Sequence, residues 1–350
     1  MSRAHQVAAP PKAKPGDKIA VLSPSWAGPG VFPDVQEIAL RVLEETFDLV
    51  PVEYPTTRQV GASSADRARD LMAAFADPSI RAVMASIGGS DQITLLPQLD
   101  PDVFLADPKP FFGYSDNTNV LNWLWNLGIG SYHGGSTLVH LARPGGPHRA
   151  HVDSLRRALF YSESAEIGPL ESFTDLQGDW SDTSTLDHAL ATTAEPGWSW
   201  HNAERTVTGT SWGGNLEILH WNLAANRWIL PVDEYAEAVL LLETSEEMPP
   251  ADEVFRMLRN FGERGLLEQF SALVMAKPKS WHGHMPLSEP ERAIYRRDQR
   301  EAVERALADY NPNALAVFGP DFGHTDPQIV LPYGGRFTID GPNRTITASY

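Results

Sequence analysis

The distribution of apolar and polar residues along the chain predicts alternating strands and helices over its first half. Four short apolar runs are typical of buried β-strands: 18–22, 49–53, 82–87 and 110–112. The segments 35–47 and 64–75 have the spacing of amphipathic helices, and another helical pattern follows Ser115. This alternation predicts a parallel α/β domain, in which ligands bind in loops beyond the carboxyl ends of the strands.

The alternation of strand and helix patterns is absent between residues 161 and 206 of the sequence. This stretch is rich in Ser, Thr, Asp and Pro, and it carries Trp180, Trp198 and Trp200. A long irregular segment inside a compact protein is either functional or a linker. Its tryptophans therefore either bind a ligand or pack the segment onto a domain, and the pattern favours neither hypothesis.

Strand and helix patterns resume in the second half, where the longest predicted helix covers 286–310. We therefore predict an α/β fold, with an N-terminal parallel-sheet α/β domain and a smaller C-terminal α/β domain. The predicted boundaries are a flexible lead at 1–17, the first domain at 18–160, a connecting segment at 161–206 and the second domain at 207–350.

Composition narrows the classes of function. The chain has 350 residues and a formal net charge of −17, which argues against nucleic-acid binding and favours a small-molecule or peptide partner. It contains no cysteine, which excludes disulfides, thiolate metal sites and a cysteine nucleophile. No apolar run has the length of a membrane span, and the first 18 residues lack the apolar core of a signal peptide. We therefore expect a cytoplasmic protein that does not associate with membranes.

Three polar residues each follow the carboxyl end of an apolar strand: Ser115, Glu243 and His324. A catalytic triad needs a nucleophile, a base that takes its proton and a carboxylate that orients the base. Each residue also has a structural interpretation. Ser115 could cap the next helix, Glu243 could face water, and His324 could bond to a backbone carbonyl. Spacing alone leaves both interpretations open.

Two glycines precede the candidate nucleophile in sequence. Gly88 and Gly89 could let backbone N–H groups approach an oxyanion, with the N–H of Asp116 as a second donor, or they could simply form a tight turn. No phosphate-binding glycine loop is present, and His282 with His284 is too common a pattern to predict a metal site. The residues therefore predict no cofactor and no metal.

Several sequence blocks resemble one peptidase family, the serine peptidases that include bacterial LD-carboxypeptidases and the microcin C immunity protein MccF. The blocks occur in the family's order from about Lys18 to the C-terminus: Ser23-Pro-Ser25, Ile87-Gly-Gly-Ser-Asp91, Lys109-Pro-Phe-Phe-Gly-Tyr-Ser-Asp116, Gly213-Gly-Asn-Leu216, Leu241-Leu-Glu-Thr-Ser245, Asp321-Phe-Gly-His-Thr-Asp-Pro-Gln328 and Leu331-Pro-Tyr-Gly334. No single block is specific to the family, but the set is.

The resemblance implies roles for the candidate residues. It makes Ser115 the nucleophile, His324 the base and Glu243 the carboxylate that orients the base. The implied oxyanion hole uses the backbone N–H groups of Gly89 and Asp116. It also implies an active site in the cleft between the two domains, a homodimer and no need for a metal or cofactor. The corner at Ser115 lacks the usual Gly-x-Ser-x-Gly pattern of a nucleophile elbow.

The long connecting segment resembles the MccF-like branch of the family, in which an aromatic side chain of this segment stacks on the nucleobase of the substrate. Trp180 and Trp198 are the candidates, and Asn215 is a further expected substrate-binding residue. Glu246 and Glu247 stand where MccF carries a basic residue that helps recognise an acidic aminoacyl group, which puts a preference for aspartyl substrates in doubt.

The expected function is hydrolysis of the amide or acyl bond of aminoacyl- or peptidyl-nucleotide antibiotics of the microcin C type, by a serine peptidase with a Ser-His-Glu triad. One alternative is an LD-carboxypeptidase that removes the terminal D-Ala of murein tetrapeptides. The other is a non-catalytic protein that binds a nucleotide-like toxin.

Overall fold

The structure, a computed structural model, describes residues 5–350. Strands and helices alternate up to residue 160: β1 Lys18–Leu22, α1 Gly28–Val31, α2 Pro33–Phe47, β2 Val50–Glu53, α3 Ser64–Ala76, β3 Ile80–Ala85, α4 Pro101–Ala106, β4 Phe111–Gly113, α5 Thr118–Asn126, β5 Ser131–His133 and α6 Arg149–Phe160.

The chain continues with four short strands and then a second alternation. The short strands are β6 Ser164–Ile167, β7 Ser172–Phe173, β8 Thr193–Ala194 and β9 Ser199–His201. The remaining elements are β10 Thr206–Asn215, α7 Leu216–Ala224, β11 Val239–Glu243, α8 Ala251–Glu263, β12 Ala272–Met275, α9 Glu289–Tyr310, β13 Leu315–Phe318, β14 Leu331–Tyr333, β15 Arg336–Asp340 and β16 Thr345–Ser349. Within the described residues, no helix is both long and apolar enough to cross a bilayer.

The N-terminal sheet has the strand order β14-β5-β4-β3-β1-β2. Its first five strands in sequence pair in parallel, and β14 from the end of the chain joins the β5 edge antiparallel. The carboxyl ends of β1, β3 and β4 therefore open at one edge of the sheet, where ligands of such sheets bind. The predicted mixed α/β class is confirmed.

The C-terminal sheet has the strand order β6-β16-β15-β10-β11-β12-β13-β9. Strands β10 to β13 are parallel, and all five residues of β11, Val-Leu-Leu-Leu-Glu, are buried. An uninterrupted apolar run is typical of a parallel strand covered on both faces, which explains why β11 shows no alternation in the sequence. Its last residue, Glu243, is consequently carried into the protein interior.

Helix α5 joins the two sheets directly behind the candidate nucleophile. The indole Nε1 of Trp212 in β10 donates to Asn122 Oδ1 of α5 at 2.9 Å, and the backbone N–H of Asn215 donates to Thr118 Oγ1 at 3.0 Å. Since β10 pairs with β11 along its length, these bonds fix the start of α5 relative to the end of β11, where Glu243 lies.

The connecting segment contains more regular structure than its sequence pattern predicts. Strand β6 pairs with β16 and β9 pairs with β13, so the segment supplies both edges of the C-terminal sheet, while β7 and β8 pair with each other. These pairings join residues far apart in sequence, so local periodicity does not reveal them. The helix predicted over 286–310 begins at Glu289, after a capping box formed by Ser288 and Glu291.

Residues 5–17 of the predicted flexible lead lie against the N-terminal domain, and residues 1–4 of it lie outside the described residues. Ala8 forms a bridge with Ile129, and Ala13 is 2% exposed. The Lys12 ammonium donates to the Ala158 carbonyl at 2.7 Å and to the Tyr132 hydroxyl. These contacts anchor a segment whose prolines and lysines indicate no element of secondary structure.

Candidate active site

The corner between β4 and α5 holds Ser115 in a strained backbone conformation. Its φ is 59°, in the left-handed region that costs a residue with a Cβ about 1–2 kcal/mol. No side chain caps the short turn at Ser115–Asn117 or the helix that follows it. The capping interpretation of Ser115 therefore fails, and the residue lies in a strained turn between a strand and a helix, which is the geometry that the nucleophile hypothesis requires.

Gly113 is required at this corner by its close contact with the following turn. A Cβ at this position would lie 2.7 Å from the Cβ of Asn117. The Asn117 amide in turn donates to the carbonyls of Ile87 and Tyr114, at 3.1 Å each. The turn is thus packed onto the glycine segment that follows β3.

Asp116 anchors the same turn through its buried carboxylate. Its Oδ2 accepts from Ser25 Oγ at 2.5 Å and from the backbone N–H of Gln92 at 3.0 Å, and its Oδ1 accepts from Asn119 Nδ2 at 2.9 Å. The Ser23-Pro-Ser25 block, which the sequence offered only as a motif, therefore holds the elbow through Ser25. Burial raises the pKa of the Asp116 carboxyl, although the bonds from Ser25 and Gln92 oppose that shift.

The turn at Gly88-Gly89 lies directly against the elbow. A Cβ on Gly88 would lie 3.0 Å from Ser115 Oγ and 3.5 Å from the backbone nitrogen of Asp116. A Cβ on Gly89 would lie 2.0 Å from Ser25 Oγ. The absence of side chains is what allows this backbone to approach Ser115, as an oxyanion hole built from backbone N–H groups requires.

Glu243 and His324 form a buried pair in the C-terminal domain. Glu243 is 0% exposed at the end of β11, and His324 lies in the loop after β13. The His324 Nδ1 donates to Glu243 Oε2 at 2.6 Å. This is the contact by which a carboxylate fixes the tautomer and orientation of a catalytic imidazole.

The other nitrogen of His324 faces a second carboxylate. Its Nε2 lies 3.0 Å from Glu246 Oε2, and within residues 5–350 no hydrogen bond joins His324 to Ser115 Oγ. Burial lowers the pKa of His324, but the charges of Glu243 and Glu246 outweigh it and raise the pKa to about 10. Glu246 is partly exposed at the surface of the cavity; its partial desolvation raises its pKa, but the charge of His324 outweighs that effect and lowers the pKa to about 2.

His133, a residue that the sequence analysis did not single out, approaches the far side of Glu243. Its Nε2 lies 4.0 Å from Glu243 Oε1, and neither ring nitrogen has a hydrogen-bond partner among the described residues. Burial lowers the pKa of His133 to about 4, so the ring is neutral at pH 7 and the ionic partner of Glu243 is His324. Its place at the end of β5 is the signal that could have identified it.

Ser115 and His324 line one cavity of about 530 Å³, within the range typical of small-molecule sites. Trp180 of the connecting segment also lines it, with its ring edge-on to Phe32 at 5.5 Å between centroids. Glu246 and Lys279 also line the cavity, and strand ends in the sequence predicted neither of them as a site residue.

The structure places the two other predicted substrate-binding residues outside that lining. Trp198 packs beside Trp200, 6.5 Å between ring centroids. Asn215 is 1% exposed and caps α7, its Oδ1 accepting from the Ile218 N–H at 3.0 Å. Its Nδ2 has no hydrogen-bond partner in the described part of the chain. Of the three residues, only Trp180 shares the cavity with Ser115.

Comparison with known proteins agrees with this architecture. Residues 19–134 match the family model described as the LD-carboxypeptidase N-terminal domain, and residues 208–339 match that of the LD-carboxypeptidase C-terminal domain. A solved structure of MccF in complex with glutamyl sulfamoyl guanosine superimposes with a TM-score of 0.82, covering 97% of this chain and 98% of that one at 21% identity.

Three relatives are similar over most of their length. A Vibrio cholerae protein named as a carboxypeptidase candidate is 27% identical, over 94% of each chain. The microcin C7 self-immunity protein MccF of Escherichia coli is 24% identical, over 81% of this chain and 77% of its own. A Bacillus subtilis protein named as a probable murein peptide carboxypeptidase is 25% identical, over 94% and 91%. With both domain models matched, this chain belongs to the LD-carboxypeptidase family of peptidases.

Proposed function

We propose that this chain is a serine peptidase of the MccF-like branch, which hydrolyses the amide or acyl bond of aminoacyl- or peptidyl-nucleotide compounds. The observation that carries the proposal is that Ser115, in its strained turn, and His324, bonded to Glu243, line the same cavity. Trp180 in the same wall favours the branch, because an indole offers a stacking surface to a nucleobase.

In the proposed mechanism Ser115 Oγ attacks the substrate carbonyl while His324 Nε2 takes its proton. The N–H groups of Gly89 and Asp116 stabilise the oxyanion, and Glu243 stabilises the imidazolium through Nδ1. His324 then gives the proton to the leaving group, and a water molecule, deprotonated by the same nitrogen, cleaves the acyl-enzyme. For this cycle His324 Nε2 must release the Glu246 carboxylate and form a hydrogen bond with Ser115 Oγ instead.

The deciding experiment supplies purified protein with two substrate classes side by side: a murein L,D-tetrapeptide and a panel of aminoacyl-sulfamoyl adenosines. We expect hydrolysis of the adenosines. Cleavage of the tetrapeptide alone would contradict the proposed branch and support the LD-carboxypeptidase alternative, which the family description and the Bacillus subtilis relative favour. Tight binding without turnover of either class would support the toxin-binding alternative.

The same panel tests the role of Trp180 with a matched variant. Trp180→Leu is expected to raise KM for the adenosines about 10-fold, because base–aromatic stacking contributes roughly 1–3 kcal/mol per base. Trp198→Leu makes the same substitution at a tryptophan outside the cavity, and we expect it to leave KM nearly unchanged. Equal effects of the two substitutions would show that the segment is needed only for packing.

Glu246→Gln is expected to move the acid limb of the kcat/KM profile to lower pH. His324 acts as a base only when it is neutral, and Glu246 is one of the charges that raise its pKa to about 10. A nearby opposite charge shifts a pKa by roughly 1–3 units; the Glu246 side chain is 48% exposed, so water screens it and we expect about one unit. Glu247→Gln, at the exposed neighbouring position, is the control. An unchanged profile in Glu246→Gln would contradict this assignment.

A further inference from the structure

The cavity that contains Ser115 also contains a buried lysine without a partner. Lys279 follows β12, is 7% exposed and lines the cavity together with His324. Among residues 5–350 its ammonium group makes no hydrogen bond and no ion pair. Lysine is almost never buried to this extent without a counter-charge, because removing an ammonium from water is costly.

Nearby carboxylates do not supply that counter-charge directly. Three of them act on Lys279 at a distance, and each has a closer cationic partner: Asp175 with Arg296 at 2.9 Å, Asp326 with Arg143 at 2.6 Å, and Glu246 with His324 at 3.0 Å. Their negative charges favour the protonated form of Lys279, whereas burial, the larger influence, lowers its pKa. The ammonium is therefore surrounded by paired charges while it remains unpaired itself.

The backbone on both sides of Lys279 is fixed. Lys277, two residues earlier, is held by Asp321 at 2.6 Å and by Glu195. Ser280, the next residue, donates its hydroxyl to Asp175 at 2.7 Å. Of two lysines two positions apart, one is fully paired inside the C-terminal domain and the other is presented to the cavity. Such fixing reduces the ordering cost of binding a ligand.

The arginine of the cavity lining contrasts with Lys279. Arg67 donates through both terminal nitrogens to Asp91, at 2.8 and 2.7 Å, and its Nη1 also bonds to two backbone carbonyls. Both terminal nitrogens thus bond to protein acceptors, and Nε is buried without a hydrogen-bond partner among the described residues. A ligand anion entering the cavity thus finds in Lys279 a cation whose donors are not engaged by described residues.

We propose that Lys279 binds a carboxylate of the substrate close to the bond that Ser115 attacks, and that it is a specificity-determining residue. This inference rests on the proposed hydrolase function, because it assigns a recognition role in the same cavity. Two groups of the substrate can supply this carboxylate. One is the terminal carboxylate of the residue released as leaving group, and the other is a side-chain carboxylate of the acyl group. Both present the compact oxyanion that an ammonium recognises as a point charge.

The test uses two substrate pairs that differ only by replacement of a carboxylate with a carboxamide. The first pair is a murein L,D-tetrapeptide and its C-terminal amide; the second is aspartyl- and asparaginyl-sulfamoyl adenosine. Wild type should prefer the carboxylate member of one pair by about 10- to 100-fold in kcat/KM, the range of a charge-assisted hydrogen bond. The pair that shows this preference identifies the source of the carboxylate.

Lys279→Gln should reduce that preference to within about twofold, mainly through KM, while Lys279→Arg should retain most of it. Lys14→Gln, at an exposed lysine of the lead, is the control. Since the substitution removes an unpaired buried charge, we also expect the melting temperature of Lys279→Gln to equal or exceed that of wild type. A preference unchanged in Lys279→Gln, or the lack of any preference in wild type, would overturn the proposal.

Failure of the proposed function can be distinguished from failure of this inference. If wild type hydrolyses neither pair, calorimetric titration of the same compounds into Ser115→Ala and into Ser115→Ala/Lys279→Gln measures recognition without turnover. A carboxylate preference in the first protein that is lost in the second would support Lys279 as the carboxylate site of a non-catalytic binder. Equal affinities within each pair for both proteins, or no binding, would overturn the assignment.

Discussion

Replacing Ser115 by alanine is expected to lower kcat by about three to six orders of magnitude, as loss of a nucleophile does in serine hydrolases. The residual rate would come from the oxyanion donors and substrate binding. Alanine and serine both carry a Cβ, so the strained backbone at φ 59° costs them about the same, and the fold should be retained. The measurement is turnover of the substrate that wild type cleaves, with circular dichroism to verify folding.

A serine-directed acylating probe gives an independent result for the same variant. Wild type should be labelled in a burst and Ser115→Ala should not, while Ser90→Ala, at an exposed serine beside the glycine turn, should still be labelled. Undiminished turnover in Ser115→Ala would disprove the nucleophile assignment. Labelling that persists in that variant would show that the probe reports another serine.

The positions that could be predicted from sequence are those set by local patterns. An apolar strand carries the residue after it to the sheet edge, which is why strand ends identify Ser115, Glu243 and His324 as candidates. The fold places Ser115 and His324 at one cavity and Glu243 behind His324. The Gly-Tyr-Ser corner is likewise local, because backbone strain and the contact of Gly113 with Asn117 are settled within five residues.

The positions that could not be predicted depend on contacts between distant segments. Nothing in Lys277-Pro-Lys279 shows that Asp321 and Glu195 pair with the first lysine and leave the second unpaired. Trp180 and Trp198 have similar polar surroundings in the sequence, but Trp180 lines the cavity, whereas Trp198 lies outside it, next to β9, which pairs with β13. Such pairings are tertiary outcomes that outweigh local propensity.

Glu243→Gln is expected to lower kcat by about 10³- to 10⁴-fold, the loss that follows when the carboxylate of a triad is replaced by an amide. The carboxamide retains the shape of the side chain but removes the charge that stabilises the imidazolium, and its NH₂ group can reverse the tautomer by donating to Nδ1. Glu243 is completely buried, so no solvent replaces the lost charge. The measurement is kcat for the variant on the substrate that wild type cleaves, together with the pH profile.

Glu246→Gln is the matched control, because His324 lies between two carboxylates and geometry alone could assign the orienting role to either. Glu243 contacts Nδ1 at 2.6 Å from the interior, whereas Glu246 contacts Nε2 at 3.0 Å from the cavity. Because Nδ1 of His324 is bound to the orienting carboxylate, His324 can accept the proton of Ser115 only through Nε2. Glu246 must therefore leave Nε2 in each cycle. We therefore expect Glu246→Gln to keep kcat within about 10-fold of wild type at the optimum of its shifted pH profile. A collapse of kcat in Glu246→Gln with a mild effect of Glu243→Gln would reverse the two roles.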